Sequence, residues 1–304
     1  MKTITCRDIE NILGKNIPDF VSQDMDRYPL QYEDFTQEQY EKYLIHVVQV
    51  LLSDITRCGE HRLTEWERGW SQNLQEFCDT KNPVSLIPKY HGKNRYVRWM
   101  GNIVNPITEY FDYRIHTHMV DTVLHSYMNG IENVYEFGCG PAYHLLRMHS
   151  HYADKCLHGL DWATSSQEII GKINASMGTS IDSHRFNFFE PDYSYNIKPN
   201  SMVYTVAALE QVGDRFGEFI EYLISKKPTV CIHMEPMSEL LSDDKLIDVL
   251  SVEYFKKRNY LTGFHDHLVA LEKAGRIEIL ESKRIFSGSY FIEGHSLVAW
   301  KPKD

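Results

Sequence analysis

The sequence predicts an α/β protein: a doubly wound, mostly parallel sheet of seven strands with an antiparallel edge, preceded by a helical cap. Three observations predict it. Between residues 134 and 233, short β-rich runs alternate with amphipathic stretches, which implies parallel strands joined by right-handed crossovers and covered on both faces. Before residue 108 the only strong periodicity is helical. After residue 275, two β-rich runs separated by Ser287-Gly288-Ser289 are placed to close the sheet as its antiparallel edge. The expected division is a cap on the substrate side over 1–107 and a core over 108–304.

Composition narrows the function. The chain has 304 residues and a formal charge of -10, which argues against a broad electrostatic footprint on nucleic acid and for a small-molecule partner. No apolar run approaches the roughly 18 to 20 residues of a membrane span, and the first residues lack a secretory signal, so a cytoplasmic protein without membrane contact is expected. Six cysteines without paired spacing suggest reduced thiols rather than disulfides or a zinc site. Oligomeric state is open, a homodimer included.

Taken in order, residues 1 to 35 carry little pattern. Thr36 and Gln39 then form a capping-box pair at the head of a helix whose face carries Tyr43, Val47, Val48 and Leu51. Trp66, Trp70, Leu74 and Phe77 repeat the pattern in a second helix. With no strand between them, these helices make the first hundred residues a lid rather than part of a sheet. Lys89, Lys93, Arg95 and Arg98 fall within ten residues, interleaved with Tyr90, Tyr96 and Trp99. That segment reads either as a seat for a phosphate or carboxylate of the substrate or as a solvated linker. A helix follows over 108–129, ended by Gly130. His118, Asp121 and His125 lie side by side on it, but no third strong ligand is identifiable, and no metal is expected.

The core strands are expected at 134–137, 156–161, 183–187, 202–206, 229–233, 276–283 and 290–300. Helices are expected at 143–149, 165–177, 216–225, 241–257 and 262–274. Residues 132–144 stand at the centre of this pattern. They read as a buried strand ending in Glu136, then the turn Gly138-Cys139-Gly140, then a helix. Glycine permits positive φ and close approach of a ligand to the main chain, and ligands of open α/β sheets bind at the carboxyl ends of the strands. A nucleoside-containing cofactor is the expectation. The dinucleotide fingerprint requires a third glycine, where this chain has Tyr143.

The order Glu136-Phe-Gly138-Cys-Gly140-Pro-Ala142 instead resembles the first motif of class I, Rossmann-like S-adenosyl-L-methionine-dependent methyltransferases of the small-molecule type, with Ala142 in place of the last glycine. The resemblance covers roughly residues 109–304. It implies that Gly138 and Gly140 make room for the methionine part of the cofactor, with Glu136 facing its amino group. Asp161, about twenty residues past the turn, matches the acidic residue that accepts from the ribose hydroxyls, and Trp162 the position that packs on adenine. Asn187 and Phe188 match the adenine-edge position, Asn187 replacing a commoner Asp. Ala207 opens the loop beside the methyl-donor end, whose Leu209-Glu210-Gln211-Val212 is similar to Leu-Glu-His-Val in the family. The third glycine reads as dispensable.

The resemblance implies methyl transfer, most simply to oxygen on a small polar acceptor, an anionic one included. A nitrogen acceptor, a catalytically silent partner subunit and, more distantly, a dehydrogenase are the alternatives. For a hydroxyl acceptor a base is expected. His233 and Glu235 follow the fifth strand at the sheet's carboxyl end, and His265 and His267 begin a later helix, so the three histidines are base candidates. Tyr143, Glu210, Glu235, Lys93, Arg95 and Arg98 are the substrate-contact candidates.

Overall fold

The computed structural model describes residues 1–92 and 96–303. The N-terminal region contributes four short strands, β1 (Lys2–Ile4), β2 (Leu30–Asp34), β3 (Val97–Trp99) and β4 (Asn102–Pro106). It also contributes the helices α1 (Cys6–Leu13), α2 (Asp19–Arg27), α3 (Gln37–Leu52) and α4 (Leu63–Thr80). After α5 (Phe111–Ser126) come β5 (Asn133–Phe137), α6 (Tyr143–His151), β6 (Cys156–Asp161), α7 (Thr164–Met177) and β7 (Asp182–Arg185). The remainder is β8 (Ser201–Val206), α8 (Gly217–Lys226), β9 (Val230–Glu235), α9 (Leu246–Arg258), α10 (Phe264–Lys273), β10 (Ile277–Gly288) and β11 (His295–Pro302).

Among the described residues, eleven strands lie in one sheet, ordered β1-β2-β4-β3-β10-β11-β9-β8-β5-β6-β7. From β9 to β7 the pairing is parallel, and β11 inserts antiparallel between β9 and β10. Two expectations are corrected here. The sheet has eleven strands rather than seven, and β10 and β11 do not form its edge, because β3 continues it by pairing Trp99 with Ser287 and Arg98 with Gly288. The N-terminal region is therefore part of the sheet as well as a layer of helices. Its strands run only three to five residues, too short for a period of two to stand out.

The core strands form because they can be buried on both faces. β5, β8 and β9 are buried at every position, as parallel strands under crossover helices must be. Alternation then assigns each side chain to a face. Val134, Tyr204, Ile232 and Leu297 pack with Ile115, Leu145 and Ile170 from α5, α6 and α7. Tyr135, Val203, Cys231 and Trp300 pack with Phe219, Phe264 and Leu268 from α8 and α10. The chain runs from β5 outward to β7, then returns to β8 on the other flank of β5. That reversal opens a crevice at the carboxyl ends of β5 and β8. Among the described residues, no helix is long and apolar enough to cross a membrane.

Candidate active site

A cavity of about 500 Å³ occupies this crevice, floored by the strand ends and roofed by α4 and the 88–92 turn. The turn after β5 is fixed by backbone: the N–H groups of Gly138 and Cys139 both donate to the Leu160 carbonyl, at 2.7 and 3.0 Å. Gly138 has φ +76°, and a Cβ there would stand 2.4 Å from the Ala208 Cβ. Gly140 has φ +50°, and its Cβ would meet the Trp70 indole at 2.9 Å. The glycines are required by the neighbouring loop and by the roof helix as well as by any ligand. Ala142 also takes left-handed backbone, φ +59°, at the N-cap of α6. The position where the family has its third glycine thus keeps a glycine's conformation, at a cost of about 1 kcal/mol for alanine.

Asp161, at the end of β6, ties this turn to the next helix. Its two oxygens accept from the N–H groups of Gly140 at 2.8 Å and Ala163 at 2.9 Å. Burial pushes its carboxyl up to about 6, against the pull of those two N–H donors. Trp162, Phe188 and Phe189 line the cavity beside it. Asn187 is not among the lining residues; its amide oxygen accepts from the Phe189 N–H at 3.0 Å and so shapes the loop from behind. Ala207 lines the cavity with φ +48°, its N–H bonded to the Met234 carbonyl. The roof is positioned by Glu67, whose carboxylate accepts from the N–H groups of Thr164 and Ser165 at 2.7 and 2.9 Å, capping α7, which has no side-chain cap of its own.

The expected bases lie elsewhere. His233 faces the α10 side of the sheet, fully buried against Phe264 and Trp300, with Nδ1 2.9 Å from Thr205 Oγ1. Burial pulls it down to about 3. Strand alternation is the cause: position 233 shares the face of Cys231 and packs under α10, and His233 does not line the cavity. His265 bonds Ser282 Oγ at 2.8 Å and His267 packs edge-on against Phe216; neither lines the cavity. Glu235 does not line it either. It is fully buried and accepts from the N–H groups of Ala208 at 3.0 Å and Glu210 at 3.3 Å, bracing the loop after β8.

Of the substrate candidates, Tyr143 and Glu210 line the cavity. Burial, with the charge of Glu235 added, pushes the Glu210 carboxyl up to about 8. Arg98 does not line it. Its side chain is buried and donates to the carbonyls of Ile247 and Phe291 and to the Tyr43 hydroxyl, cross-linking the N-terminal layer. Lys93 and Arg95 lie outside the described residues. Among the described residues, the cationic groups at the cavity are Arg62, held to Glu65 at 2.5 Å, and Arg258.

One wall was not anticipated. His91, His116, His144 and His295 come together from the 88–92 turn, α5, α6 and β11. The His116 ring lies 5.6 Å from His91, 5.6 Å from His144 and 4.3 Å from His295, centroid to centroid. Each ring has one buried nitrogen with no partner among the described residues: Nε2 of His91 and His144, Nδ1 of His116 and His295. Burial drives His116 well below the usual histidine range and His295 down to about 3, so both are neutral near pH 7. Glu136 belongs to this wall too, accepting from His144 Nδ1 at 2.9 Å and from the Tyr204 hydroxyl at 3.0 Å. Only the adjacency of His144 to the glycine turn was a local signal for any of these histidines.

His118, Asp121 and His125 separate: Asp121 pairs with Arg147 at 2.5 Å, His125 Nδ1 meets the Tyr152 hydroxyl at 2.6 Å, and His118 is 3.8 Å from Asp24. Among the described residues, no three His, Cys, Asp or Glu side chains are arranged to hold a metal ion.

No protein-family model matches the chain, and no curated protein matches it. Among solved structures it is similar to the cyclase SpnF at 13% identity, with 82% of this chain and 98% of that one covered and a TM-score of 0.51. It is also similar to the plantazolicin methyltransferase BpumL, solved with a triazolic desmethylPZN analog and SAH, at 11% identity, 80% and 99% coverage and a TM-score of 0.45. A further match is an O-methyltransferase family 2 protein from Planctomyces limnophilus, solved with apigenin, at 8% identity and a TM-score of 0.41. That match covers 58% of this chain, which spans about half, 51%, of the relative's length. At 13% identity the likeness to SpnF is one of fold alone.

Proposed function

We propose that the chain is an S-adenosyl-L-methionine-dependent methyltransferase that methylates oxygen on a small polar molecule. The observation that carries this reading is the pairing of the glycine turn with Asp161 at the sheet's crevice. A buried carboxylate that spends one lone pair of each oxygen on a backbone N–H keeps further lone pairs, the acceptors that two vicinal ribose hydroxyls need. Trp162, Phe188 and Phe189 offer an aromatic slot for a purine. The turn from Gly138 to Gly140 and the main chain at Ala207 leave the backbone bare for the methionine portion. When bound, the cofactor supplies an electrophilic methyl group on a sulfonium.

The protein's share of such a reaction is alignment and exclusion of water. Trp70 and Trp66 roof the turn and shield it from solvent. Arg62 and Arg258 at one end, with Tyr254 and Tyr260, suit an acceptor that carries negative charge there; the histidine wall suits hydroxyl groups. Calorimetry with S-adenosylhomocysteine tests the reading. Micromolar binding that is lost in Asp161→Ala supports it, and no binding up to millimolar concentration refutes it.

A further inference from the structure

We propose that His144 is the catalytic base of this site and that Glu136 serves His144 rather than the cofactor. The inference rests on the methyltransferase reading above. As a carboxylate, Glu136 can only accept hydrogen bonds, so the partner nitrogen at 2.9 Å must be an Nδ1–H. In the neutral ring the lone pair then lies on Nε2, the buried nitrogen without a partner, on a side chain that lines the cavity. Both carboxylate oxygens of Glu136 are already engaged, one by His144 and one by the Tyr204 hydroxyl. A carboxylate that fixes the tautomer of an imidazole and stabilises its cation is the orienting half of a base dyad.

The other three rings are less suited to the role. His116 and His295 are kept neutral by burial, and His91 Nδ1 stands 3.6 Å from Asp112, beyond a hydrogen bond. Around His144 the charged and titratable groups include Glu136 on β5, Tyr204 on β8, His116 and Asp121 on α5, Tyr143 and Arg147 on its own helix, with Arg147 paired to Asp121, and His295 on β11. Glu136 is the one carboxylate among them in a hydrogen bond with the ring. In the transfer, His144 takes the acceptor's O–H proton onto Nε2 while the oxygen's lone pair forms the new O–CH3 bond. The S–CH3 bonding pair stays on sulfur, which leaves as a neutral thioether, and the imidazolium is countered by Glu136 until it releases the proton to water. The wall is thereby assigned to a hydroxyl-bearing acceptor, because neutral imidazoles both donate to and accept from hydroxyls, and the Glu136 carboxylate repels an anion.

The test does not require the acceptor. In the complex with S-adenosylhomocysteine, nitrogen-15 spectra of histidine-labelled protein at pH 7.5 should show His144, assigned with His144→Asn, as the Nδ1–H tautomer with a bare Nε2. In Glu136→Gln, whose side-chain amide can donate to the ring nitrogen, the same spectra should show His144 moved toward the Nε2–H tautomer. Calorimetry should find the affinity for S-adenosylhomocysteine within about threefold of wild type in Glu136→Gln, since no hydrogen bond to the cofactor is removed. An Nε2–H tautomer in the wild type overturns the proposal, as does a tenfold or greater loss of affinity in Glu136→Gln, which would return Glu136 to the cofactor. The tautomer is read on the unsubstituted chain, so a variant that fails to fold does not spare the proposal. Failure of the wild type to bind S-adenosylhomocysteine is a separate result, and it refutes the methyltransferase reading instead.

Discussion

The two walls of the cavity are made by different means. The turn wall is built from backbone: strand ends, two left-handed glycines, and a carboxylate that staples N–H groups of successive elements. The imidazole wall is built from side chains on four elements spread between residues 91 and 295. Backbone construction fixes a ligand's position through geometry that few residue types allow, so substitutions there should be costly and specific. Side-chain construction leaves the fold indifferent to most of its members, so substitutions there should alter chemistry more than stability.

Gly138→Ala should have the largest effect on stability. Left-handed backbone costs alanine about 1–2 kcal/mol, and the collision with Ala208 adds to it, for a total of about 3 kcal/mol by urea denaturation. In an Ala208→Gly background only the backbone share should remain. An undiminished penalty in the double variant would show that the loop after β8 does not press on the turn.

Asp161→Ala comes next. It removes the acceptor of two buried N–H groups and the proposed ribose ligand, so affinity for S-adenosylhomocysteine should fall by about 2–3 kcal/mol. Unchanged affinity with a lowered melting point would make Asp161 a staple alone.

The difference in construction explains what could be read from the sequence. Glycine, alanine and aspartate at fixed offsets around one turn are visible along the chain, and so was the alternation that builds β5 to β9. His233 stands near the carboxyl end of its strand, but the face it occupies turns it toward Phe264, and a one-dimensional pattern shows the end more readily than the face. A guanidinium in a basic run suits an anion seat or a linker equally in sequence, whereas the partners that Arg98 takes in the fold, Tyr43 and Phe291, are remote along the chain. The imidazole wall had no local signature: His116 and His295 meet only because β11 inserts beside β9 and α5 packs on that face.

Glu210→Gln probes the seam between the walls. The folded chain holds a proton on this carboxyl up to about 8, whereas the unfolded chain releases it near the ordinary value of about 4.3. The stability this contributes is complete below the unfolded value and is lost as pH rises through that window. Glu235, pushed up to about 7, adds a slope of the same sign. The variant should match wild type near pH 4 and exceed it at pH 8 by up to about 4 kcal/mol, the full linkage of that shift, with a shallower decline between. Parallel curves would mean that Glu210 is ionised in the fold.

The smallest expected effect is at His265, and it tests the boundary of the imidazole wall. This ring lies at the start of α10, half-buried, with Nε2 on Ser282 Oγ at 2.8 Å, and it does not line the cavity. Loss of one such exposed bond in His265→Asn should change stability by no more than about 0.5 kcal/mol. Affinity for S-adenosylhomocysteine should not move, because His265 does not line the cavity. A tenfold change would place α10 in the site and join the two faces into one functional unit. The distinction between a histidine near the strand ends and a histidine on the correct face of them would then fail.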